Sequence, residues 1–321
     1  MRLPRALVAL SVLIGLLPIT SETHAAEGPL PLVLRVLAPD AASTARLFAT
    51  GVDVLEARRG NELLVAGDEK TTDRLRAAGF LVTVDEELSA GMLSPDAFAG
   101  GYRTVAEHEQ HLQSIATSRP DLATLVDFGD TWRKLQGRPG FDLLALCLTK
   151  KVAGDCALSP SSTKPRFLLM GAIHARELTT AELVWRFADH LVAGYGTDAE
   201  VTALLESTEI WLVPVFNADG RAIVEQGGSS PYLQRKNGND TLGTCSNPPS
   251  SSNQHGIDLN RNASYGWGGL GTSTSPCSAT YRGTAAASEP EEQAIEALLR
   301  QLFPDQRGPA PGDAAPLSST G

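Results

Sequence analysis

His174-Ala175-Arg176-Glu177 sets an imidazole and a carboxylate three residues apart. On the opening turn of a helix that spacing puts both on one face, within reach of a single Zn²⁺. An H-x-x-E pattern arises by chance in any long sequence, so its place in the chain decides its weight. Here it directly follows the apolar, strand-type run Arg166–Ile173 and precedes the helical stretch Thr180–Val192, and open α/β sheets bind ligands at the carboxyl ends of their strands. Two arginines downstream stand beside amides: Arg235 in Leu233-Gln234-Arg235-Lys236-Asn237, and Arg261 in Gly256-Ile257-Asp258-Leu259-Asn260-Arg261-Asn262. A planar guanidinium next to an amide is how a two-pronged clamp for a carboxylate is built. An arginine on a loop is more often a solvated charge, and only the upstream His-Glu pair raises these two above that. His108 and His111 are also three apart, but Glu107-His108-Glu109-Gln110-His111 is not H-E-x-x-H and reads as the polar face of a solvated helix.

The elements that must position these groups follow from periodicity. From the amino end, Leu30–Leu37 predicts a strand, Ala41–Ala49 a helix, Val52–Ala57 and Leu63–Ala66 strands around a turn at Arg58–Asn61, Glu69–Ala78 a helix closed by Gly79, and Phe80–Val84 a strand. The order β-α-β-β-α-β is that of small ferredoxin-like α+β modules, and it spans residues 27–90. A Gly- and Pro-containing linker over 91–101 separates it from the rest. After the linker come a helix over Thr104–Arg119, strands at Leu125–Phe128, Phe141–Leu148, Arg166–Ile173 and Glu209–Phe216, a turn at Asn217-Ala218-Asp219-Gly220, and a helix over Glu289–Leu302. Strands alternating with helices make residues 102–321 an α/β domain.

Composition narrows the function. The 321 residues are 42% hydrophobic and 20% charged, with 27 basic against 37 acidic side chains and a formal charge of −10. That balance disfavours any partner held by phosphate neutralisation, nucleic acid above all. The 4 Trp, 5 Tyr and 9 Phe are too few for a stacking platform. At the amino end, Arg2 and Arg5 precede the apolar run Ala6–Ile19 and small residues up to Ala26, which predicts a signal peptide over 1–26. The run is shorter than the roughly 20 residues needed to cross a bilayer, so export without a membrane anchor is expected, to the exterior or the periplasm. Four cysteines suit such a compartment; they allow three connectivities, and no C-x-x-C spacing suggests a zinc-cysteine site.

His174-Ala175-Arg176-Glu177, Pro214-Val215-Phe216-Asn217-Ala218-Asp219-Gly220, Arg235-Lys236-Asn237, the Gly256–Asn262 segment and Ser288-Glu289-Pro290-Glu291 together resemble the zinc metallocarboxypeptidases of the carboxypeptidase A/B/T type. Five motifs in the right order from about Tyr102 to Glu292 make the match specific. The resemblance implies a mixed-sheet α/β/α domain with the 27–90 module in the place of a propeptide, and a zymogen acting as a monomer on peptide or protein C-termini. It implies one Zn²⁺, with His174 and Glu177 as its first two ligands. Arg235 matches the arginine that polarises the scissile carbonyl, and Asn260 with Arg261 the pair that grips the substrate's terminal carboxylate. It also favours the pairings Cys147–Cys156 and Cys245–Cys277.

The match breaks toward the carboxyl end. The family takes its third zinc ligand, a histidine, from the strand after the Glu289–Leu302 helix, and its general-base glutamate and substrate-capping tyrosine from further on. Here a Pro-, Gly- and Ala-rich stretch follows that helix. The histidines at 24, 108, 111, 174, 190 and 255 include none at the expected place; His190 sits inside the helix begun by the His-Glu motif, and His255 reads as a loop residue. The expectation is a truncated, inactive form of a secreted carboxypeptidase. Two alternatives stand beside it: a cell-wall peptide hydrolase of the same fold, and a non-catalytic peptide-binding pseudoenzyme.

Overall fold

A computed structural model describes residues 32–92, 97–98 and 101–305 of the chain. The expected signal peptide and much of the expected linker lie outside the described residues. The amino-terminal part runs β1 (Leu32–Leu37), α1 (Ala41–Ala49), β2 (Asp53–Arg59), β3 (Glu62–Gly67), α2 (Glu69–Ala77) and β4 (Val82–Val84). Its sheet has the order β2-β3-β1-β4, with every pairing antiparallel, which is the split βαβ arrangement. Alternation along the strands explains its core: Leu34 and Val36 of β1 and Leu63 and Val65 of β3 meet Leu47 of α1 and Leu75 of α2. Both helices start on an aspartate: Asp40 accepts from Ser43 N at 2.7 Å and Asp68 from Thr71 N at 2.8 Å.

Where the linker was expected to begin, the chain makes a further helix, α3 (Glu86–Met92). It belongs to the module, because Ser89 Oγ accepts from Val33 N at 2.9 Å. Seven residues with Gly91 among them carry too little periodicity to announce a helix.

The second part comprises α4 (Val105–Ser118), β5 (Ala123–Asp130), α5 (Trp132–Leu135), β6 (Asp142–Leu148), β7 (Arg166–Met170), α6 (Leu178–Gly194), α7 (Ala199–Ser207), β8 (Glu209–Val213), α8 (Ala218–Glu225), a 3-10 turn at Leu259–Arg261 and α9 (Pro290–Leu302). Its sheet is mixed, ordered β5-β6-β8-β7, with only β7 and β8 parallel. After their opening residues, Asp142 and Glu209, strands β6 and β8 are apolar because both faces are covered. Leu146, Leu148, Ile210 and Leu212 face α4, α6 and α7, while Ala145, Cys147, Trp211 and Val213 face Ile295, Leu298 and Leu302 of α9. The result is an α/β/α layering. Strand β7 is at the sheet edge among the described residues, with Phe167 half exposed.

Two disulfides are present, Cys147–Cys156 and Cys245–Cys277. Among the described residues no helix is long and apolar enough to cross a membrane. One expectation needs correction. His108 is buried rather than solvated: its ring meets Trp185 of α6 edge-on, and His111 stacks on the same indole with centroids 3.6 Å apart. The charged run hid the fact that positions 105, 108, 112 and 115 form the inward stripe of α4.

Candidate active site

The site lies at the carboxyl ends of β7 and β8. After Met170 the chain turns through Ala172, held at φ 51°, and this left-handed step carries His174 over the end of the sheet. Glu177 occupies the N-cap position of α6 but makes no side-chain capping bond. Its carboxylate instead meets His174, with Oε1 2.8 Å from Nδ1. At the end of β8, the Asn217–Gly220 segment is not a free turn but the start of α8, with Asn217 accepting from Gly220 N at 3.0 Å. The same asparagine donates through Nδ2 to Ile173 O and Arg235 O, both at 3.2 Å. It thereby stitches the His174 loop to the Arg235 loop. Gly220 is required there: a Cβ would stand 2.4 Å from Lys236 O and 2.9 Å from Ala175 Cβ.

The Arg235 segment has no regular structure, so side chains and neighbouring loops satisfy its backbone. Gln254 Oε1 accepts from Arg235 N at 2.7 Å and from Lys236 N at 3.2 Å, and Asn237 exchanges two bonds with Ile257. Ser288-Glu289-Pro290-Glu291 anchors the far side. Asn237 Nδ2 donates to both Glu289 and Glu291, and Asn239 Nδ2 to Glu289. Burial pushes the Glu291 carboxyl up to about 8, which keeps it protonated at neutral pH. Lys236, also buried, is pushed down to about 7 by desolvation and donates to Pro276 O at 2.7 Å.

Asp258 joins the two halves. Its Oδ2 accepts from Arg235 Nε at 3.1 Å and Nη2 at 3.0 Å, while Oδ1 accepts from Asn260 N and faces His174 Nε2 at 3.5 Å. Burial alone would raise this carboxyl, but the Arg235 guanidinium and the His174 ring hold it far below the usual carboxylate range. The same balance acts on Glu177: desolvation opposes ionisation, and the bond with His174 outweighs it, lowering its pKa. His174 is correspondingly raised, its burial being outweighed by Asp258 and Glu177. A carboxylate on the second nitrogen is how a metal-ligating histidine is oriented.

The fold thus brings His174, Glu177 and Arg235 into one cluster. Asn260 and Arg261 lie on the adjoining 3-10 turn. The Arg261 guanidinium is turned along its own loop, donating to Gly271 O at 3.0 Å and Asn260 O at 2.7 Å. His190 is exposed on α6 and His255 is half-buried in its loop. Three members of the cluster had no role from sequence: Asp258, Arg176 and Asp53. The first two lay inside the quoted motifs, where a carboxylate near a ligating histidine was the available signal. Asp53 comes from β2 of the amino-terminal module. It accepts from Arg235 Nη1 at 2.7 Å and pairs with Arg176, and nothing in its local sequence marks it.

The donor set suits two positions of a catalytic zinc, which takes three protein ligands and an open place for water. Nδ1 of His174 and Oε1 of Glu177 converge, with the ring fixed from behind. Among the described residues no group of three or more His, Cys, Asp or Glu is arranged to hold a metal.

Comparison with known proteins gives the family and the fold. The family model for zinc carboxypeptidases, peptidase M14, matches residues 108–309. Carboxypeptidase A2 of Rattus norvegicus is 30% identical over 226 residues, covering 68% of this chain and 48% of that protein. Metallocarboxypeptidase A of Trichophyton tonsurans is 37% identical over 217 residues, covering 68% and 46%. The chain spans about half the length of the curated relatives it matches. Among solved structures, carboxypeptidase A from Helicoverpa armigera shares the fold with a TM-score of 0.63 at 22% identity, covering 86% of this chain and 68% of that one. Since the family model takes in well over half of the residues and the relatives reach 30–37% identity, the chain belongs to the zinc carboxypeptidase family.

Proposed function

We propose that this chain carries the machinery of an exported zinc-dependent exopeptidase that removes C-terminal residues from peptides or proteins, with the 27–90 module as its propeptide. The observation that carries the reading is Asp258, one buried carboxylate bonded to Arg235 and facing His174. His174 and Glu177 would hold the zinc together with a third donor. When bound, such an ion polarises a carbonyl and lowers the pKa of its water. Arg235, its guanidinium fixed by Asp258, donates to the carbonyl oxygen as that oxygen gains charge, and a donor held in place beforehand stabilises the transition state more than a mobile one. Asn260 and Arg261 bind the free carboxylate of the substrate, which requires Arg261 to leave Asn260 O. Recognition of that carboxylate restricts cleavage to the chain end. The disulfides and the Ala6–Ile19 run support export to the exterior or periplasm.

With two of three donors among the described residues, weak zinc binding and no turnover are expected of the 321-residue chain; tight stoichiometric zinc by metal analysis overturns that. The exopeptidase reading is tested by calorimetry with N-acetyl dipeptides and their C-terminal amides in the presence of zinc. The acids should bind and the amides should not, and Arg261→Ala should abolish the difference. Hydrolysis of a C-terminally amidated peptide overturns the reading, and a preference for D-amino-acid peptides replaces it with a cell-wall peptide hydrolase.

A further inference from the structure

Thr131 stands at the N-cap of α5 but makes no capping bond with its side chain. Two carboxyls from distant parts of the chain take the open amides instead. Glu291 Oε1 accepts from Trp132 N at 2.9 Å across 159 residues, and Asp219 Oδ2 accepts from Arg133 N at 2.7 Å across 86. Both acids are fully buried. Capping alone does not require them, since a hydroxyl or an amide closes a helix start as well. Two buried acids on neighbouring amides therefore need a further explanation.

Neighbouring carboxyls taken out of water do not both stay ionised unless cations offset them. Here the nearby cations are engaged elsewhere. On α5, Arg133 turns its Nε to Gly238 O at 3.5 Å, and Lys134 is held by Asp130 and Asp142. In the loop behind, Arg138 pairs with Asp240. Glu289 adds a third acid, but Asn237, Asn239 and Ser288 all donate to it. Burial raises both members of the pair. At Asp219 it is opposed by Arg133 N, Thr131 and the guanidiniums of Arg133 and Arg138, whereas at Glu291 only backbone amides oppose it, and the charges of Asp219 and Glu289 reinforce it. The proton belongs on Glu291.

Its position gives this proton a task. Glu291 opens α9, Asp219 lies in α8, and α5 tips the connection from β5 to β6. The second oxygen of Glu291 accepts from Asn237 Nδ2 at 3.2 Å, and Asn237 is two residues beyond Arg235. Asn237 in turn exchanges bonds with Ile257, the neighbour of Asp258. The Glu291 carboxyl thus ties α5 to the segment that carries Arg235.

We propose that Asp219 and Glu291 form an acid pair holding a single proton, and that this proton latches the segment carrying Arg235 to α5 and α9. Glu291 is a positioning residue: it acts on Arg235 through Asn237 and touches no substrate. When the proton leaves to solvent at alkaline pH, a second desolvated carboxylate stands beside Asp219 and Glu289. The acids then part, and the amides of α5 and Asn237 lose the anchor they share. In the folded chain the Glu291 carboxyl is pushed up to about 8 from an ordinary 4.5. Folded protein therefore keeps a proton that the unfolded chain releases between these values. The stability it brings is whole below pH 4.5 and is lost as the pH rises through about 8. That Arg235 serves a substrate carbonyl rests on the function proposed above; the acid pair itself does not.

The test uses the full chain as wild type, Glu291→Gln and Asp219→Asn. At neutral pH the wild type should show an infrared band of a buried protonated carboxyl that Glu291→Gln lacks and that fades as the pH rises past about 8. Asp219→Asn should lose that band at lower pH, because the neighbouring charge is gone. One pH unit beyond the titration, wild-type hydrogen exchange at residues 132–137 and 235–239, corrected for the intrinsic rate, should have risen about tenfold. Glu291→Gln should show no such rise. Absence of the band in wild type, an equal rise in a folded Glu291→Gln, or an Asp219→Asn band that fades at the wild-type pH overturns the inference. Should either variant fail to fold, the wild-type band and wild-type exchange decide: they must change together, and exchange that stays flat while the band fades is equally fatal. Acetyl-dipeptide acids and amides keep the two proposals apart. A latch without preference for the acids leaves the acid pair standing and removes the exopeptidase reading, and a preference for the acids without the band does the reverse.

Discussion

Asp258 gives both oxygens to the site and leaves nothing for solvent, so its removal has a calculable direction. Asp258→Asn leaves the buried Arg235 guanidinium short of one charge partner and takes the acceptor away from His174 Nε2. A loss of about 3 kcal/mol in urea unfolding is expected, the lower end of what an orphaned buried charge costs, and a loss below 1 kcal/mol would show that the pair is not tightly held. His108 makes a second residue-scale prediction. Burial, reinforced by the positive charges of Arg221 and Arg103, lowers its pKa to about 3 in the folded protein, against about 6.5 unfolded. Below pH 6.5 the unfolded chain takes a proton that the folded chain refuses, so this histidine's stability is complete above 6.5 and is lost as the pH falls toward 3. Wild type should lose about 2 kcal/mol more than His108→Phe between pH 7 and pH 5, at about 1.4 kcal/mol per unit; parallel urea titrations at the two pH values measure it. Residue type and spacing were enough to single out His174, Glu177 and Arg235. Asp53 was invisible, because its meaning comes from a partner 182 positions away.

Among the elements, the strands and long helices were legible wherever burial imposed a period. Beyond Asp142 and Glu209, strands β6 and β8 read as continuous apolar runs because helices cover both faces. Short elements were not: α5, α7 and α8 went unread, and α8 was taken for a turn. Asn217 and Gly220 have turn chemistry, but here they serve as an N-cap and as a place of close backbone approach. Gly220→Ala tests that account. Its methyl would meet Lys236 O at 2.4 Å and Asn217 Oδ1 at 2.5 Å, so a loss of about 2–3 kcal/mol in thermal or urea unfolding is expected from overpacking. Gly196→Ala, with a φ of 82° but nothing within 4 Å of the new Cβ, should cost only the left-handed backbone term of about 1–2 kcal/mol. A loss at Gly220 no larger than that at Gly196 would mean that the neighbouring Lys236 and Asn217 give way to the methyl and that space does not select glycine at 220. Replacing the N-cap Asp198, which accepts from Glu200 N and Val201 N, with alanine should cost about 1 kcal/mol by the same measurement.

Across the whole molecule, the loops that carry chemistry are held by distant ties rather than by the sheet. Cys245–Cys277 closes a stretch of 32 residues around the Asn260-Arg261 turn. Its reduction should cost about 3–4 kcal/mol by the chain-entropy estimate and raise hydrogen exchange across residues 250–282. Unchanged exchange there after reduction would mean that the hydrogen bonds of Gln254 and Asp258 suffice. The sequence by itself determined the family motifs, the apolar runs that build a sheet covered on both faces, and the net acidic charge. These are local or additive properties, written in spacing and count. Only the tertiary structure decided which carboxylate faces each arginine, that His108 packs inside against Trp185, and that the amino-terminal module reaches into the site through Asp53. The physical reason is the same for all three: a buried charge is defined by its partners, and partners far apart in the chain leave no periodic trace in sequence.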